Sequence, residues 1–278
     1  MPLRVLVAGN VTLDRYGDAW LPGGSAYYAA HAWRALGASV RVVTAAGPDF
    51  PHAALAGAEV RVVADGLTTR FVNEHHADGA RTQRVAARAG RLSPQSLAGG
   101  WSDCDVLHLA PVLAEIDLDA WTRAVRARFV GVGVQGWVRE VAAGGEVVQP
   151  AWRPDPALLS TRVSAACLGE DDLLGQAGLL ELLRGSVPVV ALTHGERGAE
   201  VTAHGGTSGV GVFRTSAVDP VGAGDVFSAG FFFGLALGEA PLEAARLGAA
   251  AASIVIEARA GEALDRLGEA FARRARVA

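Results

Sequence analysis

The sequence predicts a doubly wound α/β fold, a mostly parallel sheet wrapped by helices, and three observations carry that expectation. Apolar runs of strand length recur: LRVLVAG from Leu3, SVRVVTAAG from Ser39, AEVRVV from Ala58, CDVLHLAPV from Cys104, RFVGVGV from Arg128 and VPVVALT from Val187. Between most of them lie segments with helical spacing, AYYAAHAWRALG, DLDAWTRAVRAR and EDDLLGQAGLLELL. Strands that are apolar throughout are buried on both faces, as in a parallel sheet covered by crossover helices. No fixed-period repeat or low-complexity linker divides the 278 residues, so one domain over 1–278 is expected.

Taken in order, MPLRVLVAGN has too few apolar residues before its Gly-Asn turn to be a secretion signal and reads as the first core strand. From Thr68 to Arg88, TTRFVNEHHADGARTQRVAAR has two alternating strands around an Ala-Asp-Gly-Ala turn, a β-hairpin with one solvated face. Projecting from an α/β sheet, such a hairpin is an edge extension or a lid over 68–88. From Asp225 onward the chain reads as helix, first to Leu237, then from Leu242 to Ala258 after a Gly-Glu-Ala-Pro break, then from Glu262.

Composition narrows the function. Half the residues are hydrophobic and 19% are charged, an ordinary globular balance. A net charge of -4 provides no electrostatic footprint for nucleic acid or anionic lipid. The most apolar tract, Val226 to Leu237, is shorter than the ~20 residues that cross a bilayer. A cytoplasmic protein with small-molecule partners is the expectation. Cys104 and Cys167 lie in unrelated contexts without metal-ligand spacing and read as small buried hydrophobes. The seven histidines form no triad or metal pattern, and His108 reads as a satisfied strand residue. The chain contains no lysine; all 25 basic residues are arginine. That excludes a Walker A phosphate loop, a protein-kinase strand lysine and Schiff-base catalysis, each of which needs an ammonium group.

The stretch DPVGAGDVFSAG, Asp219 to Gly230, offers anion binding by other means. Glycines ahead of a helix leave backbone N–H groups unobstructed, and the helix start adds partial positive charge. A carboxylate there, Asp225, can accept the proton of an attacking hydroxyl while the amides stabilise a transferring phosphoryl group. The same residues also suit a plain helix N-cap behind a tight turn.

Further ordered motifs favour the chemical reading. DPVGAGDVFSAG resembles the second signature of the PfkB, or ribokinase-like, sugar kinases, written D-T-x-G-A-G-D-x-F-x-A-G. An early strand that ends in GNVTLD, with Asp14 as its last residue, the diglycine Gly23-Gly24, the hairpin and THGERG (Thr193 to Gly198) follow the order of that family, so the likeness runs from Val5 to about Gly261. VQGWVRE (Val134 to Glu140), HLAPV and TTRFVNE are similar to its myo-inositol 3-kinase-like members.

The resemblance implies a ribokinase-like fold with a small β lid and an ATP- and Mg²⁺-dependent kinase of a small polyol or sugar, with myo-inositol suggested by the subgroup. Ribose, fructose, 2-keto-3-deoxygluconate and nucleosides are alternative acceptors, and a non-catalytic sugar- or nucleotide-binding protein is a further one. It makes Asp225 the base and Gly222, Ala223 and Gly224 the anion hole. Asp14, Gly23, Gly24, Gln135, Arg139 and Arg81 would hold the acceptor, with Arg70 and Arg84 as other hairpin arginines within reach. Thr193, Gly195 and Gly198 would line the nucleotide. Glu170, in CLGEDD, would match the acid of the N-x-x-E motif that organises hydrated Mg²⁺, a cation that usually keeps its waters.

There are departures. Cys167 stands where that motif has Asn, and Tyr28 where an Asn contacts sugar. Pro220 and Val221 replace hydroxyl residues and Gly133 stands for an Asp, which leaves a monovalent cation unassigned. Monomer and homodimer are both compatible with an edge hairpin. Gly131 to Gly136 also spells G-x-G-x-x-G, the dinucleotide fingerprint. The glycine-interrupted WVREVAAGGEVV after it makes a poor helix, and the acid expected ~20 positions later on a second strand is absent, so a nicotinamide-linked reaction is disfavoured.

Overall fold

The computed structural model describes residues 1–64, 66–75, 81–97 and 99–278. In chain order its strands are β1 (Arg4–Ala8), β2 (Thr12–Tyr16), β3 (Ala19–Gly23), β4 (Ser39–Ala46), β5 (Glu59–Ala64), β6 (Thr69–His75), β7 (Arg81–Ala87), β8 (Asp103–Leu109), β9 (Arg126–Gly133), β10 (Glu140–Val141), β11 (Val147–Val148), β12 (Ala165–Gly169), β13 (Val189–Thr193), β14 (Ala199–Ala203) and β15 (Gly206–Val210). The helices are α1 (Ser25–Ala35), α2 (Leu118–Ala124), α3 (Pro156–Arg162), α4 (Leu179–Ser186), α5 (Ala223–Ala236), α6 (Pro241–Val255) and α7 (Ala270–Arg274).

Nine strands form the main sheet in the order β15-β14-β13-β12-β9-β8-β1-β4-β5. Every pair from β5 across to β13 is parallel, and β14 and β15 close that end antiparallel. Apolar clusters cover both faces. One packs α1, α5 and α6 around Trp33, Phe231 and Phe232, and the other packs α2, α3 and α4 around Trp121 and Leu159. This is the doubly wound arrangement that the apolar runs imply.

Some elements differ from expectation. The antiparallel β14–β15 hairpin was not evident as strands. Its signal is the turn at His204 and Gly205, which take φ of 52° and 77°, the left-handed pair of a tight hairpin. EDDLLGQAGLLELL is not one helix: Gly175 and Gly178 turn left-handed at φ of 71° and 76°, and α4 starts only at Leu179. DLDAWTRAVRAR is helical only to Ala124, because Val125 turns extended and Arg126 opens β9.

The hairpin at 68–88 is half of something larger. β6 and β7 pair antiparallel, and β6 also pairs parallel with β2, which pairs with β3, making a four-stranded sheet in the order β3-β2-β6-β7. Its Ala-Asp-Gly-Ala turn lies outside the described residues. GNVTLD therefore does not end the first strand. The chain leaves β1 at Gly9, where a Cβ would sit 2.1 Å from the Ala110 carbonyl oxygen, and starts a new strand in the second sheet. Asn10 secures this break, its side chain accepting from Ala45 N–H at 2.9 Å and donating to the Gly90 carbonyl at 3.1 Å. Among the described residues no helix is long and apolar enough to cross a membrane.

Candidate active site

Sequence places Asp225 in the first turn of α5, and the fold aims that turn into a cavity of about 370 Å³. Gly222, the N-cap, has φ of 81°, and a Cβ there would lie 2.4 Å from the ring of Tyr28, so glycine is required twice over. The N-terminus of α1 reaches the same place, and its first residue, Ser25, hydrogen-bonds the Asp225 carboxyl. Burial pushes that carboxyl up to about 6, against the stabilising pull of Ser25 and Arg139 and with a small push from Asp172. A carboxylate tuned to that range is suited to accept a proton near neutrality. Beneath it α5 is apolar on all sides and buried from Val226 to Gly234, which holds the loop rigidly.

The opposite wall belongs to the four-stranded sheet. Thr12 and Asp14 of β2, Phe71 of β6 and Gln83 of β7 all face the cavity. Asp14 is 7% exposed and accepts from Thr12 Oγ1 at 2.9 Å. Gly23, beside it on β3, has no room for a side chain, since a Cβ would stand 2.4 Å from Asp14 Oδ2. Gln135 and Arg139, on the short helical turn after β9 and the residue that follows it, complete the wall, and Arg139 Nη1 donates to Gln83 Oε1 at 3.5 Å. Behind it, buried Glu115 accepts from the N–H groups of Asn10, Val112 and Leu113 at 2.8–3.0 Å and shapes the loop that presents Val112 to the cavity.

A second cavity of about 600 Å³ adjoins the first, the two sharing Thr193, Gly195, Pro220 and Gly224. It is mainly apolar, walled by Phe213, Phe227, Ala249, Ala252 and Ile256. Ala223 and Gly198 belong to this compartment. Gly198 has φ of 90°, and a Cβ there would meet the Val210 carbonyl oxygen at 2.2 Å.

Other sequence candidates lie elsewhere. Arg70 does not face the cavity but pairs with Asp49 at 2.7 Å and stacks on Trp20. Arg84 is directed outward, donating to the Gly144 carbonyl at 2.9 Å. The side chain of Arg81 lies outside the described residues. Glu170 is at the cavity rim, engaged by Arg197 and by His194 at 3.0 Å. The buried acid that this segment adds to the cavity wall is Asp172, which spacing did not single out. It is 3% exposed; Oδ2 accepts from Gly169 N–H at 2.8 Å, while the buried Oδ1 lacks a normal hydrogen-bond partner. The legible signal was CLGEDD read two residues later, with Gly169 and Asp172 as its first and fourth positions. An orphaned carboxylate oxygen beside Asp225 fits a hydrated divalent cation, although among the described residues no cluster of three metal-ligating side chains exists.

The G-x-G-x-x-G run serves packing. A Cβ on Gly131 would strike the Phe232 ring at 2.5 Å, and one on Gly136 the Pro111 backbone at 2.3 Å. A single helical turn follows it rather than a helix.

Comparison with known proteins agrees with this geometry. Residues 164–264 match the model described as pfkB family carbohydrate kinase. The chain is 26% identical over 273 residues to a cytidine kinase of Thermococcus kodakarensis, covering 88% of this chain and 93% of that one. Among solved structures it resembles a pyrophosphate-dependent ribokinase-family kinase complexed with a pyrophosphate analog and myo-inositol, with a TM-score of 0.75 at 19% identity over 91% of this chain and 95% of the other. It also resembles Arabidopsis thaliana ribokinase complexed with ribose and ATP, with a TM-score of 0.70 at 19% identity and 99% of each chain covered.

Proposed function

We propose that the chain is a sugar or nucleoside phosphotransferase that moves the terminal phosphoryl group of ATP to a hydroxyl of a small polyol or sugar, a reading supported by the match of residues 164–264 to the pfkB family carbohydrate kinase model and by the likeness to a cytidine kinase. The observation that carries this reading is the junction of two unlike cavities at Gly224: a polar one holding Asp14 and Asp225, and an apolar one lined by Phe213 and Phe227. The polar compartment suits a compact hydroxylated acceptor, with Asp14 accepting from its hydroxyls and Gln83, Gln135 and Arg139 donating to its oxygens. The apolar compartment suits a nucleobase. Pyrophosphate would make no use of it, which favours a nucleotide donor.

In the mechanism, the acceptor hydroxyl lies between Asp14 and Asp225. Asp225 takes its proton as the oxygen attacks, and the N–H groups at the start of α5 stabilise the charge of the transferring oxygens. Arg139 offsets charge on the acidic wall formed by Asp172 and Asp225. Asp172, with Glu170 at the rim, would hold a hydrated Mg²⁺, which when bound neutralises the phosphates of the donor.

A second reading, with a nucleoside as acceptor, is favoured by the cytidine kinase relative. Release of ADP from ATP, and of orthophosphate from pyrophosphate, measured across myo-inositol, ribose, fructose, 2-keto-3-deoxygluconate, cytidine and other nucleosides separates the readings. Asp225→Asn should lower kcat about 10²-fold to 10⁴-fold. Wild-type activity should fall as pH drops through about 6, since the base must be unprotonated. An Asn variant as fast as wild type removes Asp225 from the mechanism.

A further inference from the structure

A hydrogen bond joins two walls of the site. Side chains alternate along a strand, so Thr12, Asp14 and Tyr16 share one face of β2. The first two line the acceptor cavity. Tyr16, the last residue of the strand, donates its phenol proton to Asp219 Oδ2 at 2.7 Å. Asp219 is 9% exposed and heads the loop that enters α5. Its Oδ1 accepts from Val221 N–H at 3.0 Å, one residue before the left-handed Gly222, and its Oδ2 also accepts from Ala260 N–H at 3.2 Å. The N–H groups of Val218 and Asp219 both reach the Ile256 carbonyl, at 2.6 and 3.2 Å. A single carboxylate thus ties together the strand that carries Asp14, the loop that forms the anion hole, and the chain leaving α6.

We propose that Tyr16 is a positioning residue that, through Asp219, couples engagement of the acceptor at Asp14 to the geometry of the anion hole at Gly222 to Gly224. The physical basis is reach. Asp14 and Tyr16 are two residues apart on one strand, about 7 Å, so a displacement of β2 at the acceptor is delivered almost undiminished to Asp219. From Asp219 it passes by one hydrogen bond to Val221 and so to the turn that aims the donor's phosphates at the base. Displacement of reacting groups by about 1 Å can cost on the order of 10²-fold in rate, so the bond sets how well the two halves of the reaction meet. It contributes nothing to the affinity of either half alone.

This inference rests on the phosphoryl-transfer reading, and the experiment keeps the two apart. Tyr16→Phe retains the ring and deletes only the donor. With the acceptor that the wild type turns over, Tyr16→Phe should lower kcat about tenfold and raise the acceptor KM at saturating ATP by the factor through which nucleotide tightens acceptor binding in the wild type, while acceptor affinity without nucleotide stays within about twofold. Calorimetric titration of a non-hydrolysable ATP analogue with and without that acceptor should show mutual enhancement of binding in the wild type and none in Tyr16→Phe, since coupling is reciprocal. Asp219→Asn and the double variant supply an independent measure: if the two residues act through one bond, the double variant is no slower than the slower single. Unchanged kcat and unchanged linkage in Tyr16→Phe overturn the inference, as does a lowered melting temperature with both intact, which marks a structural tether. Absence of turnover by the wild type on every acceptor would instead sink the phosphoryl-transfer reading.

Discussion

The proposed donor end and the proposed acceptor end of this site are built by opposite means. At the donor end the chemistry resides in backbone: N–H groups at the start of α5, held by a helix that is buried throughout and by a glycine whose neighbour is an aromatic ring. At the proposed acceptor end it resides in side chains that arrive from separate segments, Asp14 from β2, Gln83 from β7, and Gln135 and Arg139 from the stretch between β9 and β10. A backbone site tolerates no change of shape, whereas a side-chain site can alter its ligand while the fold stays intact. One end should therefore be intolerant and general, and the other tunable and specific.

The largest effect that would sharpen this contrast is at Gly222. Gly222→Ala forces a Cβ to within 2.4 Å of Tyr28 at a φ of 81°. The resulting shift of the α5 start should reduce kcat about 10²-fold with every acceptor alike. Steady-state kinetics on two acceptors checks this, and a loss confined to one acceptor would break the division of labour. A smaller effect is expected at Gln83, which touches the cavity from β7 and hydrogen-bonds Asn73 at 3.0 Å as well as Arg139. Gln83→Leu should raise acceptor KM about tenfold, leave the KM for ATP within about twofold, and change the ranking of acceptors, because an unmatched substrate hydroxyl loses about 1–3 kcal/mol.

The smallest effect concerns the platform under the donor end. His108 on β8 is 1% exposed, accepts from Trp33 Nε1 at 2.9 Å and lies edge-on to Phe232 of α5. Burial lowers its pKa to about 3. The imidazole is therefore neutral in the fold, while the unfolded chain protonates near 6.5. The stability it protects is complete above about pH 6.5 and is lost as pH falls towards 3, by at most about 1.4 kcal/mol per pH unit. His108→Asn, which keeps an acceptor for Trp33, should flatten urea-unfolding stability against pH across that window. A slope identical to wild type would mean that His108 does not titrate on unfolding.

Much of the architecture was legible because its signals are local. Unbroken apolar runs announce strands buried on two faces, and the glycines before Asp225 announce a helix start that can receive an anion, so the main sheet and the donor loop follow from short windows of sequence. The four-stranded sheet was only half legible, since its β2–β6 pairing joins residues 12–14 to 69–71, far apart in the chain. Arg70 and Arg84 illustrate the limit. Both lie on the expected hairpin, yet partners on other segments, Asp49 and Gly144, draw them away from the cavity.

By itself, the sequence determined that this protein lacks any lysine ammonium group for phosphate chemistry and that a glycine-flanked helix start, the proposed substitute, lies at the mouth of α5. Those properties need only neighbours in the chain. Tertiary structure alone decided how the acids of one segment are disposed, with Asp172 buried in the cavity wall and Glu170 at its rim, because burial and ion pairing depend on what folds back against a residue: Arg197 and His194 engage the Glu170 carboxylate, while Asp172 is 3% exposed.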